Sequence, residues 1–264
     1  METRAARIAL TAWVVFVLAF LFIPIVIILV YAFNASNIQS FPIPGFSLRW
    51  FASAYENQEI RTALSLSLKA GLVSTLIAVF LGSAAALAVH RYEFFGRDAV
   101  SFMVVLPIAL PGIITGMALN SFFVFWGLGL SFWTIVIGHA TFCIVIVYNN
   151  VIARLRRVPK SLEEASMDLG ADGWQTFRRI TLPMISTSLV AGALLAFALS
   201  FDEVIVTTFT AGAQNTLPLW IFGAIRLGQK LPEVNVVVLV VMAITFIPVL
   251  LAYKLTNQAG PMVK

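Results

Sequence analysis

RLRRVPKSLEEASMDLGADGWQTFRRITLP, residues Arg154–Pro183, is the long polar passage in a chain otherwise built from apolar runs. It carries six of the 17 Lys/Arg and four of the 12 Asp/Glu, and it reads as two short helices rather than a slack loop. Ser161 followed three residues later by Glu164 predicts a capping box, in which the hydroxyl accepts from an orphan N–H and the carboxylate reaches back. Gly170 sits where a left-handed residue would end that helix. Asp172, with Gln175 three residues on, offers a second cap. Leu162, Ala165 and Leu169 fall on one face by helical spacing, with Glu163, Glu164 and Asp168 elsewhere. Such a segment is either an ordinary polar loop with a basic flank or a rigid shape made to be gripped by a soluble partner.

The passage stands out because of what surrounds it. The 264 residues are 60% hydrophobic and 11% charged, with a mean hydropathy of +0.96. A soluble domain carries about 25% charged residues, so the solvent of this chain is largely lipid. Its fold class is therefore all-α, a polytopic membrane protein forming one transmembrane domain over residues 1–264. The net charge of +5 does not indicate nucleic-acid binding, because the basic residues punctuate the apolar spans and report topology. The single cysteine, Cys143, lies inside an apolar run and excludes a disulfide framework.

Six spans are expected, at about 8–33, 62–89, 99–126, 132–153, 184–201 (with a possible extension to 209) and 234–253. Each has roughly 20 or more residues, enough for the ~30 Å hydrocarbon core. The first run is too long for a signal-peptide core. A short helix is expected near Leu48–Glu56, after the turn residues Pro42, Pro44 and Gly45. The second span is rich in small residues, among them Gly71 and Gly82, which allow close helix contact. The third contains Pro107, Pro111 and Gly112, which mark either a packing kink or part of a translocation path. Pro183 is placed as a helix-start residue for the fifth span. With the amino terminus inside, Arg4, Arg7, Arg91, Arg97, Arg154, Arg156, Arg157, Lys160, Arg178, Arg179, Lys254 and Lys264 are cytoplasmic, against Arg49, Arg61, Lys69, Arg226 and Lys230 outside. Twelve against five puts both termini and residues 154–183 in the cytoplasm.

No GxxxxGK[ST] phosphate loop occurs, so no ATP or Mg is expected on this chain and no catalytic residue is assigned. His90 and His139 are too few and too far apart for a metal site. His139, inside the fourth span, is either a hydrogen-bonded interior histidine or a proton relay. Asn120, Asn149 and Asn150 are candidate interhelical hydrogen bonders. Asp202 and Glu203 lie in the apolar passage ALSFDEVIVTTF, about 20 residues and ~30 Å along a helix from Pro183. Two adjacent carboxylates near lipid are costly unless they meet a cation, a cavity or a basic partner. They are therefore paired with Arg226 or Lys230, or use Asp202 as a helix-end device, or form a cation-attracting site. Trp126, Trp133 and Trp220 are interface aromatics or faces for a cationic solute.

Glu164-Ala165-Ser166, then Gly170, Ile180, Leu182 and Pro183, resembles the EAA loop of permease subunits of binding-protein-dependent ABC importers, with Ser166 in place of the second alanine. LSLKAGLVSTLIAVFLG, LPIALPGIITGMAL, and FALSFDEVIVTTFTAG followed by TLPLWIF are similar to the second permease subunit of spermidine/putrescine-type importers. The resemblance implies a type I importer fold whose coupling helix, carried here by Ser161, Glu163, Glu164, Ala165, Ser166, Asp168, Leu169 and Gly170, sits in a groove of a cytosolic ATPase. It implies a polyamine substrate handled at Asp202 and Glu203; Trp220 is a further candidate by its ring face, and Pro107, Pro111 and Gly112 are gating candidates by the interruption they make in the third span. It also implies a second permease subunit in a heterodimer, two ATP-binding cassette subunits that hold ATP and Mg, a periplasmic or lipid-anchored solute-binding protein, and a place in the bacterial inner membrane. The alternatives are import of another small solute, such as an amino-acid derivative, and ion-coupled secondary transport.

Overall fold

A computed structural model of the chain describes residues 3–258, with side chains as far as Thr245. Lys264 and both chain ends lie outside the described residues. In chain order the helices are α1 (Arg4–Ala32), α2 (Arg49–Glu56), α3 (Gln58–Arg91), α4 (Arg97–Ala109), α5 (Gly112–Phe125) and α6 (Phe132–Leu155). They are followed by α7 (Ser161–Asp168), α8 (Gly173–Thr176), α9 (Leu182–Asp202), α10 (Ile205–Thr210), α11 (Leu217–Leu227) and α12 (Leu231–Gln258). The architecture is all-helical, as the composition requires, and the short helix after the turn residues is α2.

Among the described residues, four helical stretches are long and apolar enough to cross a membrane: α1, α3, α6 and Gly173–Asp202. A fifth span arises if α4 and α5 are taken together, and the 28-residue α12 occupies the sixth expected run. Two expected spans differ in form. The run 99–126 is not one kinked rod: α4 and α5 meet at 107°. Leu110 is driven to φ −85°, ψ 142° by the ring of Pro111, which itself has ψ 132° and no N–H to continue a helix.

Pro183 is the second residue of α9, as expected of a helix-start proline, but the fifth span itself begins earlier, at Gly173. α8 is capped by Asp172, a π turn occupies Phe177–Thr181, and α9 follows without a break. A proline ring crowds the carbonyl four residues back. The widened turn, in which the Leu182 N–H bonds to Phe177 O, gives it room. The same helix does not continue to 209; it stops at Asp202 and restarts as α10.

The chain divides into two compact units. In the unit Arg61–Trp220, α6 is the axis. Fourteen of its 24 residues are buried, so no face is left wholly to lipid. Phe142, Cys143, Val147, Tyr148, Val151 and Leu155 pack with Ala78, Ala86 and Val89 of α3 and Ile185 and Ala196 of α9. Lipid tails are as apolar as these side chains, so the association relies on close contact and hydrogen bonds. The small residues supply the contact: a side chain at Gly82 would meet Ile144 O at 2.8 Å, and one at Gly192 would meet the Val147 Cα at 3.3 Å. The buried thiol of Cys143 donates to Ala196 O.

In the other unit, residues 3–60 with 221–258 of the described chain, α1 packs on α12. Ser53 Oγ and Asn57 Nδ2 both donate to the Glu233 carboxylate, at 2.7 and 2.6 Å, and so fasten α2 to the start of α12. The loop between α1 and α2 closes on itself, with Trp50 Nε1 donating to Asn34 O at 2.8 Å.

Candidate functional site

Two places answer to the candidate residues, both in the unit Arg61–Trp220. The first is α7. It starts one residue earlier than expected. Lys160 is the cap, its carbonyl accepting from the N–H groups of Glu163 and Glu164, and Ser161 is the first helical residue, so the Ser161–Glu164 capping box does not form. Glu163 and Glu164 still occupy the first turn, where carboxylates suit the helix dipole. The other end is as expected. Gly170 has φ +88°, its N–H bonds to Met167 O, and the Ala171 N–H reaches back to Ser166 O, which is a Schellman closure. Asp172 then caps α8, accepting from the Gln175 N–H at 2.7 Å.

Glu163 is the residue that fastens this knuckle to the spanning helices. Its Oε2 receives Arg91 Nη2 at 2.7 Å from the end of α3, and its Oε1 receives Thr181 Oγ1 at 2.5 Å from the π turn that leads into α9. Burial pulls this carboxyl upward, but the hydrogen bonds from Thr181 and Arg91 and the Arg91 charge outweigh it and hold the group below its ordinary range. A second link joins the hydroxyls of Ser166 and Thr176 at 3.1 Å. Among the remaining candidates on α7 and its end, Glu164, Ala165 and Asp168 are exposed, Glu164 at the rim of a cavity shared with Arg91 and Glu163, and Leu169 is 90% exposed. With Leu162, Met167 and Trp174 also exposed, the knuckle presents apolar side chains left largely uncovered by the described residues.

Gly170 sets the end of that knuckle. Gly170→Val should cost about 1–2 kcal/mol, because a β-branched residue is forced left-handed there. The amides of Gly170 and Ala171 should then exchange at least several-fold faster than in wild type, whereas Gly170→Asn should stay near it. Equal protection in all three would contradict the closure.

The second place is the interruption between α9 and α10. Asp202 is the last residue of α9 and is exposed. Glu203, at φ −73° and ψ 118°, breaks the helix and is half-buried. It is Glu203, not Asp202, that serves as the helix-end device, its Oε1 accepting the Val206 N–H of α10 at 2.9 Å. Lys230 pairs with Glu59 at 2.7 Å instead of with either acid.

Glu203 lines a cavity of about 160 Å³ with Pro107, Gly112, Thr115, Phe142 and Leu199. The broken third span and the broken fifth span therefore meet, held by Asn120 Nδ2 donating to Phe209 O at 2.7 Å and by Gly116 lying against the Phe209 ring. Pro111 caps α5 outside this cavity, and Trp220, buried on α11, does not line it. Trp126 and Trp133 are more than half exposed. Thr115 and Phe142 belong to the site although the sequence reading did not name them. Thr115 lies one turn beyond Gly112 on the same face, a spacing that was open to inspection, and its buried hydroxyl has no partner among the described residues. A carboxylate, an unpaired hydroxyl and an aromatic ring around one small volume suit an ammonium group. His139 is an interior histidine with both ring nitrogens hydrogen-bonded.

Comparison with known proteins gives the family and the fold. Residues 74–259 match the family model described as binding-protein-dependent transport system inner membrane component. The chain is 34% identical over 248 residues to the putrescine transport system permease protein PotI of Escherichia coli (strain K12), covering 91% of this chain and 88% of that protein. It is 32% identical over 248 residues to the spermidine/putrescine transport system permease protein PotC of Haemophilus influenzae, covering 94% and 96%. In fold it is similar to a chain of a bacterial ABC transporter involved in the import of the acidic polysaccharide alginate, with a TM-score of 0.68 at 16% identity, covering 99% of each chain.

Proposed function

The chain belongs to the binding-protein-dependent transport system inner membrane components, and on that premise we propose that it is one permease subunit of an ATP-driven polyamine importer. The solute is a putrescine- or spermidine-type di- or polyamine, as for the relatives named above. The observation that carries this reading is the Glu203 carboxylate in a small cavity beside Thr115 and Phe142, within two spans that are both interrupted there. An ammonium group gains from a carboxylate in a place poor in water, and the helix breaks give the surrounding spans freedom to part.

The chain acts as a single transmembrane domain in the bacterial inner membrane, with both termini and α7 in the cytoplasm, in line with the distribution of Lys and Arg. It works with a second, different permease subunit, two ATPase subunits that carry ATP and Mg, and a solute-binding protein outside. The exposed apolar side chains of α7, with Glu164 and Asp168 among them, are the seat for an ATPase. Closure of the ATPases pushes α7, and Glu163 passes the displacement to α3 and α9 through Arg91 and Thr181. The cavity thereby changes which side it opens to. Solute and ATP shift the balance only through their different affinities for the two states.

The test is uptake of labelled putrescine by the assembled importer. Asp202→Asn combined with Glu203→Gln should raise the apparent KM at least about tenfold, the worth of one charge-assisted hydrogen bond, while the amount of inserted chain stays the same. Unchanged uptake kinetics would remove the cation site.

A further inference from the structure

The interruption at Glu203 has no proline or glycine to cause it, so something else must hold it in place. The residue that does so is on α6. His139 is 1% exposed, with its Nδ1 2.7 Å from Ser200 Oγ and its Nε2 2.8 Å from Thr207 Oγ1. Ser200 lies in the last turn of α9, and Thr207 lies in the first turn of α10. One imidazole therefore hydrogen-bonds on both sides of the break.

The proton inventory gives the contact a direction. Thr207 Oγ1 has a single hydrogen, which it donates to the Glu203 carbonyl at 2.7 Å. It must then accept from His139, so Nε2 carries the ring proton. In the neutral ring Nδ1 is an acceptor, and the hydrogen on Ser200 Oγ points to it. The chain of bonds runs from Ser200 through His139 and Thr207 and ends on the main chain of Glu203. The same residue's Oε1 is held by the Val206 N–H. Both the carbonyl and the carboxylate of Glu203 are thus fixed, and the residue lines the cavity with Thr115 and Phe142. Gly138 lets α6 come this close: a side chain there would meet Val206 Cγ1 at 3.2 Å and Thr210 Cγ2 at 3.3 Å.

We propose that His139 is a positioning residue for cation binding: by bonding Ser200 before the break and Thr207 after it, the imidazole sets the angle of the interrupted helix and presents the Glu203 carboxylate to the cavity. This rests on reading the Glu203 cavity as the cation site. His139 does not touch the solute and carries no proton across the membrane, because both of its nitrogens are engaged by hydroxyls that lead to a main-chain carbonyl.

The experiment is putrescine uptake by the assembled importer in membrane vesicles, with KM and Vmax measured separately. His139→Phe removes both bonds and keeps a ring, while Thr207→Val is isosteric, keeps the imidazole and its bond to Ser200, and removes the bond beyond the break together with the link to Glu203. Both should raise the apparent KM about tenfold and lower Vmax per assembled importer less than about twofold. His139→Gln, whose amide can reach Thr207, should recover most of the affinity. A purely structural histidine would instead reduce the amount of importer, and hence Vmax, at constant KM. If His139→Phe fails to insert, Thr207→Val decides alone. An unchanged KM in Thr207→Val, with Glu203→Gln raising it, overturns the inference and leaves the cation site standing. An unchanged KM in Glu203→Gln itself overturns both.

Discussion

Glu163→Ala should abolish most solute uptake, at least about tenfold, while ATP hydrolysis by the assembled importer continues and the chain inserts in normal amounts. The stability term is modest. Arg91 and Glu163 keep 32% and 20% of their side chains exposed, so water can reach Arg91 once the carboxylate is gone, and the loss should stay at about 1–3 kcal/mol. The mechanical term is large, because Glu163 alone on α7 bonds to both the end of α3 and the lead into α9. Arg91→Gln and Thr181→Val should each reproduce part of the loss. Glu164→Lys separates two causes. Glu164 is exposed, so this change leaves the tether intact and disturbs only the docking seat; hydrolysis and uptake should then fall together.

The pH dependence has a definite sign. Glu163 is held below its ordinary value, so its contribution is fully present above the unfolded glutamate value of about 4.3 and is lost only as pH falls through its lower folded value. Uptake per ATP should therefore be insensitive to this group at neutral and mildly acidic pH. Uptake by Glu163→Ala within twofold of wild type would end the tether account.

How far each feature could be read from the chain depended on the distance over which it is determined. The left-handed Gly170, the Asp172 cap and helix α2 are set by residues within four positions of one another, and they stand where local chemistry puts them. The start of α7 slipped by one residue because Lys160, next to Pro159, can begin the helix with its own carbonyl, and no side chain is needed there. The two prolines of the third span announced an irregularity, but not its size. A kink and a 107° fold differ in what neighbouring elements offer the second half of the span, and here the Asn120–Phe209 bond seats α5 on α10, a contact that is remote in the chain. The break at Glu203 was the least legible feature. ALSFDEVIVTTF contains no helix breaker, and the residue that organises the interruption is 61 positions from Ser200 and 68 from Thr207. The acidic pair drew attention by its cost in lipid, which located the site but did not say which acid faces it.

Gly82→Leu should be the most destabilising single substitution in the bundle. The Cβ of any residue at this position would lie 2.8 Å from Ile144 O, 3.0 Å from Val147 Cβ and 3.1 Å from the Tyr148 nitrogen. Two of these three atoms belong to the backbone of α6, so no rotamer change relieves the clash and α3 must move away. That movement would disturb the cluster of Ala78, Ala86, Cys143, Val147 and Val151, which is fully buried and close-packed. Overpacking of this kind costs about 1–3 kcal/mol even for small additions, and the rest of the leucine adds to it. Gly82→Ala should sit at the lower end, and Gly223→Ala should be neutral or slightly stabilising, because Gly223 is helical with nothing within 4 Å of its would-be Cβ. The chain contains its own reporter. Cys143 is its single cysteine and is fully buried at the α6 contact, so a thiol-reactive fluorophore labels it as the bundle opens. Labelling during a thermal ramp should begin at clearly lower temperature for Gly82→Leu than for Gly82→Ala, and for both lower than for wild type. Coincident curves for wild type and Gly82→Leu would mean that α3 and α6 do not approach at Gly82.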